Sequence, residues 1–461
     1  MFDNAADVDQ LAAWCPVTGA VRVLITSRNR AFHQRYAPIE VDTFTAEQAA
    51  RFLAERTGLD DLDQATALAA ELDYLPLALA QAAALIARRH LIYPAYRRLL
   101  ADFPLSDYLP SQRGDIYPVG TAQAIMLSVV QAEATLPGGA DLLRTLAVLS
   151  PAGVPRILLP GHVDLTAQAS SADVTAAAEA QELLAGLADT SLISFSEDGS
   201  AVLMHRLVQR VLRERVIRDG DLPAAIDQAI DLLVALDNVI PNGAQTWAAR
   251  AAVEILLEQT DALRTLTTGD DIPDRLLALR AWCGHYLMDL ADLRRAVPLL
   301  RQTLSDRERI LGTDHPNTLT SRNNLASAYQ AAGDLTQAIP LYQQTLTDRE
   351  RILGTDHPDT LSSRNNLATA YQAAGDPSRA IALHQQNLTD RERILGTDHP
   401  DTLSSRNNLA YVYGSAGDLT RAISIYQQTL ADCERVLSED HPITKAVRGN
   451  LDVLTRSHER K

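Results

Sequence analysis

The tripeptide Asp-His-Pro occurs four times in the C-terminal part of the chain, at a constant interval. The copies lie at 314–316, 356–358, 398–400 and 440–442, so each begins 42 residues after the one before. A fixed period of this size is typical of stacked structural units that each bury an apolar face against their neighbours. The spacing therefore predicts a solenoid.

Each unit has the pattern of two consecutive helices. In the third unit, apolar residues recur at helical spacing through Thr360–Ala373, and Gly375 follows as a helix stop. Asp376 is placed to cap a second helix, which continues an apolar stripe until Gly396. We call these helix A and helix B, and the array is predicted to be α-helical throughout.

The segment Thr-Asp-His-Pro-Asp is predicted to turn the chain from one unit to the next. Proline disfavours helix at the preceding residue, and Asp401 or Thr402 is expected to cap the following helix A. Each unit also contributes one histidine, and neighbouring units of a solenoid lie too far apart to share an ion. We therefore interpret these histidines as structural turn residues: His315, His357, His399 and His441.

A degenerate first unit begins near Asp274, because Asp292 and Leu304 align with residues 42 positions later. Its helix A lacks the Arg-Asn-Asn signature of the later units. In the first two units, Pro298 and Pro340 lie deeper within helix B than the corresponding proline of the third unit does. An interior proline removes a hydrogen bond, so we expect a kink or a later helix start there.

These residues resemble tetratricopeptide repeats, specifically the 42-residue kind found in kinesin light chains and many bacterial proteins. The resemblance covers about Asp274 to Arg456. It implies a solenoid with a concave surface lined by helices A. It also implies that Ala368, Tyr371, Gly375 and Ala380 are the packing positions of the third unit.

The Arg-Asn-Asn segment of each helix A supplies candidate groove residues. Asparagine offers both a donor and an acceptor, so a ladder of asparagines can clamp the backbone of an extended peptide while arginines hold acidic groups. The resemblance implies that the second asparagine of each pair faces the groove. The alternative is that the asparagines only satisfy loops or adjacent helices. The candidates are Arg322, Asn323, Asn324, Arg364, Asn365, Asn366, Arg406, Asn407 and Asn408.

Composition supports a mainly α chain of several domains. The chain has 461 residues, of which 46% are hydrophobic and only 5% aromatic, with alanine and leucine dominant. The net charge of −16 disfavours nucleic acid. The densest basic segment carries Arg206, Arg210, Arg213, Arg215 and Arg218, and we interpret it as a solvated helix face.

Cysteine content and hydropathy favour the cytoplasm. Three scattered cysteines give neither a disulfide framework nor a metal cluster. No apolar segment is long enough for a membrane span, and no basic segment precedes an apolar run at the start.

The N-terminal part has a different periodicity. Val21–Ser27 is a short apolar run typical of a buried parallel strand, and Arg28 follows at its carboxyl end, the edge of such sheets where ligands bind. Further along, Leu-Pro-Leu-Ala-Leu occupies 75–79 and Met-His-Arg occupies 204–206. Together with Leu-Ile-Thr-Ser-Arg-Asn at 24–29, these segments resemble the later motifs of the NB-ARC family of STAND signal-transduction ATPases.

The resemblance implies three nucleotide-binding residues. Arg28 would sense the terminal phosphate, Pro76 would pack on adenine, and His205 would hold the ADP form closed. For each residue a plainer role is open: Arg28 can pair with a nearby acid, Pro76 can break a helix, and His205 can be a satisfied buried histidine.

Alternating helices and short strands between these motifs are expected of the family's winged-helix segment. The predicted elements are Asp141–Ser150, Ala176–Thr190, Ser191–Ser196, Ala201–Met204 and Leu207–Arg218.

The chain departs from the family pattern in two ways. Arg206 stands where the family usually has aspartate, which puts the usual inter-domain contact in doubt. The Gly-rich phosphate loop with its lysine is absent from the chain, and without it nothing cradles the β-phosphate or places Mg²⁺. The start resembles the tail of an acidic Walker B strand ending at Asp3, so we expect a chain that begins inside a domain, whether genuinely or through a misassigned start.

The predicted fold is mainly α: the remnant of an α/β nucleotide-binding domain, helical and winged-helix segments, then an α-solenoid. The predicted divisions are an NB-ARC remnant at 1–40, a helical subdomain at 41–105, a winged-helix-like subdomain at 106–220, a helical bridge at 221–273 and the repeat array at 274–461.

The predicted function is a regulatory scaffold that binds a peptide or protein partner in the repeat groove and carries an incomplete ADP/ATP switch. Two alternatives stay open: a nucleotide-dependent switch ATPase whose phosphate loop lies upstream, and a transcriptional regulator using the winged helix. No catalytic or metal site is predicted, and ADP or ATP with Mg²⁺ are the only cofactors indicated. Oligomerisation is expected only with an intact nucleotide domain.

Overall fold

The computed structural model describes residues 43–102, 121–159, 171–190, 192–267, 269 and 271–459. The chain divides into two compact units. The first extends to Ile240 and includes Glu254–Thr268, and the second comprises Pro241–Val253 and Gly269–Lys461. The predicted strand at Val21–Ser27, and with it Arg28 and Asp3, lies outside the described residues.

Helices dominate the first unit. They are α1 (Ala46–Thr57), α2 (Leu62–Glu71), α3 (Pro76–Arg89), α4 (Tyr93–Asp102), α5 (Thr121–Thr135), α6 (Gly139–Val148), α7 (Ser171–Asp189), α8 (Arg206–Asp219), α9 (Leu222–Asp237) and α10 (Arg250–Leu266), the last of which belongs to this unit from Glu254 onward. A 3₁₀ turn spans Arg156–Leu158.

The first four helices and α8 share a core. Leu53, Leu68, Leu79 and Tyr96 are fully buried there, and Leu207 of α8 packs against the same cluster. Local signals set the helix starts: α1 begins with a capping box, and α3 begins with proline at its first position, where the missing N–H costs nothing.

Three short strands form a small antiparallel sheet in the order β1–β3–β2. They are β1 (Val154–Pro155), β2 (Ser194–Phe195) and β3 (Ala201–Leu203). Val202 pairs with Val154 on one side and with Phe195 on the other. The predicted alternation of helices and strands over 141–218 is confirmed, but β1 was not predicted, because two residues are too few to show a period of two.

The second unit is an array of helix pairs preceded by a 3₁₀ segment at Gly243–Ala249. We call α11–α12 repeat 1, α13–α14 repeat 2, α15–α16 repeat 3 and α17–α18 repeat 4, and α19 closes the array. The helices are α11 (Asp274–Asp289), α12 (Leu293–Leu311), α13 (Pro316–Ala331), α14 (Leu335–Leu353), α15 (Pro358–Ala373), α16 (Pro377–Leu395), α17 (Pro400–Ser415), α18 (Leu419–Val436) and α19 (Pro442–Glu459). The predicted α-solenoid is confirmed.

The predicted packing alanines of repeat 3 are buried. Ala368 and Ala380 are fully inaccessible and Tyr371 is 7% exposed, so small side chains let helices A and B approach closely. The prediction that Gly375 packs in the core is wrong. Its φ is +77° and no atom lies within 4 Å of the position that a Cβ would take, so glycine is needed there for the left-handed turn alone.

The helix caps agree with the sequence for helix B and differ for helix A. Asp376 accepts a hydrogen bond from the N–H of Arg379, as predicted. Helix A of repeat 4 is capped by His399, not by Asp401 or Thr402. The N–H of Asp401 donates to Nδ1 of His399 at 3.2 Å, which places Asp401 inside the first turn. The same contact confirms the structural role of the turn histidines, which recurs at His315, His357 and His441.

The two interior prolines do not delay their helices. α12 begins at Leu293 and α14 at Leu335, and each runs through its proline. Of the two outcomes expected there, a kink or a later helix start, the later start is therefore excluded for both. The reason is that Asp292 and Asp334 cap these helices as Asp376 caps α16, which fixes the start upstream of the proline.

Repeat 3 buries two polar side chains that its sister repeats replace. His384 stands where repeats 2 and 4 have Tyr342 and Tyr426, and Asn387 stands where the others have threonine. His384 is 2% exposed and Asn387 is inaccessible, and neither His384 Nδ1 nor either amide atom of Asn387 has a hydrogen-bond partner among the described residues. Unpaired buried polar groups are costly, so repeat 3 carries a local weakness.

We expect Asn387→Thr to raise the free energy of unfolding by about 1–3 kcal/mol, because it removes an unpaired buried amide. In repeats 2 and 4 the equivalent Thr345 and Thr429 donate to the carbonyl four residues earlier, at 2.7 Å in both cases. Urea unfolding followed by circular dichroism measures the change. The reverse substitution, Thr345→Asn, should lower stability by a similar amount, and an unchanged midpoint in both variants contradicts the interpretation.

We also expect acid to weaken repeat 3 through His384. Burial lowers the pKa of His384 to about 4 from its ordinary 6.5. The unfolded chain takes up the proton first, so the stability due to neutral His384 is present above about pH 6.5. It is lost progressively as the pH falls towards 4, by about 3 kcal/mol in total. The difference in unfolding free energy between the wild type and His384→Tyr, measured from pH 7.5 to 4.5, should therefore grow with acid. A constant difference would rule this out.

Candidate functional site

The arginine of each Arg-Asn-Asn segment is buried in ion pairs. Arg364 of α15 is 1% exposed and lies 2.6 Å from Asp390 of α16, in its own repeat, and 3.2 Å from Glu350 of α14, in the preceding one. Arg322 is held by Asp348 and Glu308 in the same way, at 2.7 and 3.3 Å. In both repeats the arginine therefore connects its own helix A to two helices B.

Arg406 repeats the arrangement with Asp432 at 2.8 Å and Glu392 at 2.9 Å. The predicted role of Arg322, Arg364 and Arg406 in holding acidic groups of a ligand does not fit these positions. Their guanidinium groups are already paired with two carboxylates each, and their side chains are no more than 11% exposed.

Arginine also occupies the equivalent position of α11 and α19, although these helices lack the Arg-Asn-Asn segment. Arg280 of α11 is 2% exposed and donates to Gln302, and Arg448 of α19 contacts Glu434 at 2.7 Å. Both lie 42 residues from their neighbours in the series. The fixed spacing of arginine alone, without the two asparagines, could have identified them.

The asparagines form a ladder between successive helices A. Nδ2 of Asn366 donates to Oδ1 of Asn323 in the preceding repeat at 3.1 Å, and Asn408 donates to Asn365 at 2.9 Å. Asn450 donates to Asn407 in the same way, at 3.1 Å. Asn324 has no such partner, because Ala281 occupies the position before it in the series. The ladder joins neighbouring repeats, as the alternative interpretation required.

The ladder uses only half of each amide. The first asparagine of a pair accepts through its oxygen and the second donates through its nitrogen, and all of these side chains are half-buried. The NH₂ group of Asn365 and the oxygen of Asn366 therefore remain for other partners. In the following pair the corresponding groups contact each other, since the NH₂ group of Asn407 donates to the oxygen of Asn408 at 3.5 Å.

These asparagines belong to a regular surface that we call the helix-A face. It consists of the fifth, eighth, ninth and twelfth residues of α11, α13, α15, α17 and α19. In α15 these are Ser362, Asn365, Asn366 and Thr369, all half-buried or exposed. None of the residues on the face is Asp, Glu, Lys or Arg, although 22% of the chain is charged. The face is therefore amide- and hydroxyl-rich and electrically neutral.

Large apolar side chains lie on the helix-A face only near its ends. Trp282 of α11 is 45% exposed, and Tyr411 of α17 and Val453 of α19 are 54% and 68% exposed. The corresponding positions of α13 and α15 carry asparagine, serine or threonine.

In the first unit, two of the predicted nucleotide residues lie close to one loop. His205 immediately precedes α8, and its Nδ1 lies 2.9 Å from Oδ2 of Asp73, which also accepts from the N–H of Arg206 at 2.7 Å. Asp73 lies three residues before Pro76, which begins α3. The structure thus brings the Met-His-Arg segment against the loop that precedes Leu-Pro-Leu-Ala-Leu.

The environment of Asp73 favours its charged form. Burial raises the pKa of this carboxyl, but the hydrogen bond and attraction from His205 and the backbone N–H of Arg206 outweigh it, and the net pKa is lowered. Asp73 and Tyr74 both have positive φ, 55° and 59°, so this loop is conformationally strained.

The arginines of α8 are engaged within the protein. Arg206 contributes its backbone N–H to Asp73, and the side chains of the others contact internal acceptors: Arg210 contacts Glu214 and the carbonyl of Leu100, Arg213 the carbonyl of Ala147, Arg215 Glu133, and Arg218 Asp219. The prediction of a freely solvated face is therefore only partly right, since Arg213 is half-buried and burial lowers its pKa.

A cavity of about 400 Å³ lies in the first unit, away from these residues. Its apolar lining includes Leu142 of α6, Leu183 of α7 and Leu232 of α9. Its polar lining includes Asp141, which is paired with Arg144 at 2.6 Å.

Comparison with known families identifies the repeats. Residues 275–350, 323–389 and 402–443 match tetratricopeptide repeats, so the C-terminal array is of this class. Residues 130–220 match a domain of unknown function, DUF7779. No curated protein matches the chain.

Two solved structures with similarity to this chain cover about half of it or less. One, from Podosopora anserina, is described as a kinesin light chain with nearly identical TPR-like repeats; it is 29% identical over 40% of this chain and 88% of its own, with a TM-score of 0.37. BtubC (BKLC) from P. vanneervenii is 22% identical over 51% of this chain and 88% of its own, with a TM-score of 0.37.

A third structure covers more of the chain. It is a Signal Transduction ATPase with Numerous Domains (STAND) protein with a tetratricopeptide repeat sensor from Pyrococcus horikoshii. It is 12% identical over 90% of this chain and 70% of its own, with a TM-score of 0.28. Among the described residues, no helix combines the length and the hydropathy needed to cross a membrane.

The buried arginines should be structural, and a pair of substitutions tests this. Arg364→Met leaves Asp390 and Glu350 without their shared cation, and we expect it to lower the free energy of unfolding by about 3 kcal/mol. The matched control is Arg393→Met, which removes an exposed pair with Asp356 and a longer contact of 3.5 Å with Asp390, and it should cost much less. Urea unfolding of both variants provides the measurement. Equal losses would contradict the assignment.

Proposed function

We propose that the repeat array is a protein-interaction scaffold that binds an extended segment of a partner along the helix-A face. The observation that carries this proposal is the unused half of the asparagine ladder. An extended peptide presents N–H and C=O groups along its length, and the Asn365–Asn366 pair offers one matching donor and one matching acceptor. The Asn407–Asn408 pair carries the same two groups, which a peptide would take over from their long mutual contact of 3.5 Å.

The buried arginines are already paired, so the proposed binding site excludes them and consists mainly of asparagines. Asn324, Asn366 and Asn408 remain as candidate ligand-facing residues, together with the first asparagine of each pair. Arg322, Arg364 and Arg406 fix the helices A that carry these asparagines against the neighbouring helices B. A neutral amide surface on a rigid scaffold favours binding over catalysis, and we propose no enzymatic activity for the array.

We expect the double variant Asn366→Ala, Asn408→Ala to weaken peptide binding at least tenfold, since several hydrogen bonds of about 1 kcal/mol each are lost. The probes are linear peptides selected from a phage-displayed random 16-residue library against the full chain, and titration calorimetry gives the affinities. Gln386→Ala, an exposed amide on helix B of repeat 3, is the matched control and should bind normally.

Circular dichroism and the urea midpoint establish that both variants remain folded, since the double variant also loses ladder bonds. Undiminished binding by a folded double variant would contradict the proposal. So would a library that yields no peptide specific for this chain.

A nucleotide switch in the first unit is a second candidate function. The contact between His205 and Asp73 favours it, because it places the histidine beside the segment that contains Pro76. Arg28 enters this proposal through the sequence resemblance alone.

Titration calorimetry of ADP and ATP with Mg²⁺ tests the second candidate. If the switch operates, ADP should bind with a micromolar dissociation constant, and His205→Ala should weaken it more than Arg218→Ala, a substitution at the exposed end of the same helix. The absence of binding heat with both nucleotides would exclude it for this chain.

A further inference from the structure

The neutrality of the helix-A face restricts what can occupy it. A charged side chain buried against amides and hydroxyls loses its hydration without gaining a countercharge, which is unfavourable. Acidic residues of the helices A lie outside the four positions that define the face, as Asp359 and Asp401 do at the second position of their helices and Asp452 does beside Val453. The central part of the partner segment should therefore be uncharged.

The apolar side chains at the two ends of the face have the character of anchor points. The ring of Trp282 stands edge-on to His285, with 5.7 Å between ring centroids, which presents a large aromatic surface to solvent at the repeat 1 end. At the other end, Tyr411 and Val453 occupy the twelfth position of consecutive helices A. Tryptophan and tyrosine are enriched among the residues that contribute most to binding energy.

The distance between the two ends follows from the stacking. Three steps separate α11 from α17, and packed helices lie about 8–10 Å apart, so Trp282 and Tyr411 are roughly 25–30 Å apart. An extended chain advances about 3.3 Å per residue and covers this distance in about eight or nine residues. The intervening asparagines then have peptide groups opposite them.

We propose that the occupant of the helix-A face is an extended, uncharged protein segment with a large apolar side chain at each end, about eight or nine residues apart. This inference rests on the proposed function and specifies its ligand. One apolar side chain of the segment packs against Trp282, and the other packs against Tyr411 and Val453. The asparagine ladder binds the main chain between them.

The phage library described above tests the proposal at the level of sequence. We expect enriched peptides to carry two large apolar residues at the stated spacing with few charged residues between them. Their dissociation constants should change less than twofold between 50 and 500 mM NaCl, because no ion pairs are formed. Trp282→Ala and Tyr411→Ala should each weaken binding at least tenfold, and Trp247→Ala, an exposed tryptophan outside the repeats, should not.

The outcomes separate this inference from the function on which it rests. Enriched peptides that are acidic or basic and whose affinity falls steeply with salt would overturn the inference while leaving peptide binding in place. Binding unaffected by both anchor substitutions would do the same. If the library yields no specific peptide, the proposed function fails and the inference fails with it.

Discussion

The repeat array depends on one interaction, a buried arginine held between two carboxylates on different helices B. Arg364 takes Asp390 from its own repeat and Glu350 from the preceding one, so a single guanidinium fixes both the packing within a repeat and the stacking between repeats. A buried charge tolerates little displacement, because a lost partner leaves it uncompensated. The neighbouring Arg349 extends the same connection in the opposite direction, from α14 to Ser363 of the next helix A.

This use of arginine explains the character of the candidate site. Because the cations are buried and the carboxylates are turned towards them, the surface between successive helices A is left with amides and hydroxyls. The ladder of Asn323 and Asn366 is then the most prominent polar feature of that surface. Adjacent residues of one tripeptide thus occupy different environments, since the arginine is buried in ion pairs and the asparagines remain half-buried at the surface.

Much of the array could be predicted from the sequence, because its signals are local. The period, both helices of each unit and the aspartate cap at Asp376 follow from spacing and from short-range capping rules. The burial of Arg364 could not be predicted in this way. Arginine is usually exposed, and its carboxylates lie on two other helices. The cap at His399 was missed because histidine is not a preferred capping residue, and His384 and Asn387 because substitutions in one repeat do not disturb the period.

The fixed reach of the contacts in the array has an evolutionary consequence. The bonds of Arg364 span 14 and 26 residues, that of Arg393 to Asp356 spans 37, and that of Asn366 to Asn323 spans 43. None extends beyond the adjacent unit. Duplication or loss of one 42-residue coding segment would therefore recreate the same set of contacts at the new junction. The number of repeats can drift between lineages without passing through an unstable intermediate, and the length of the surface offered to a partner changes with it.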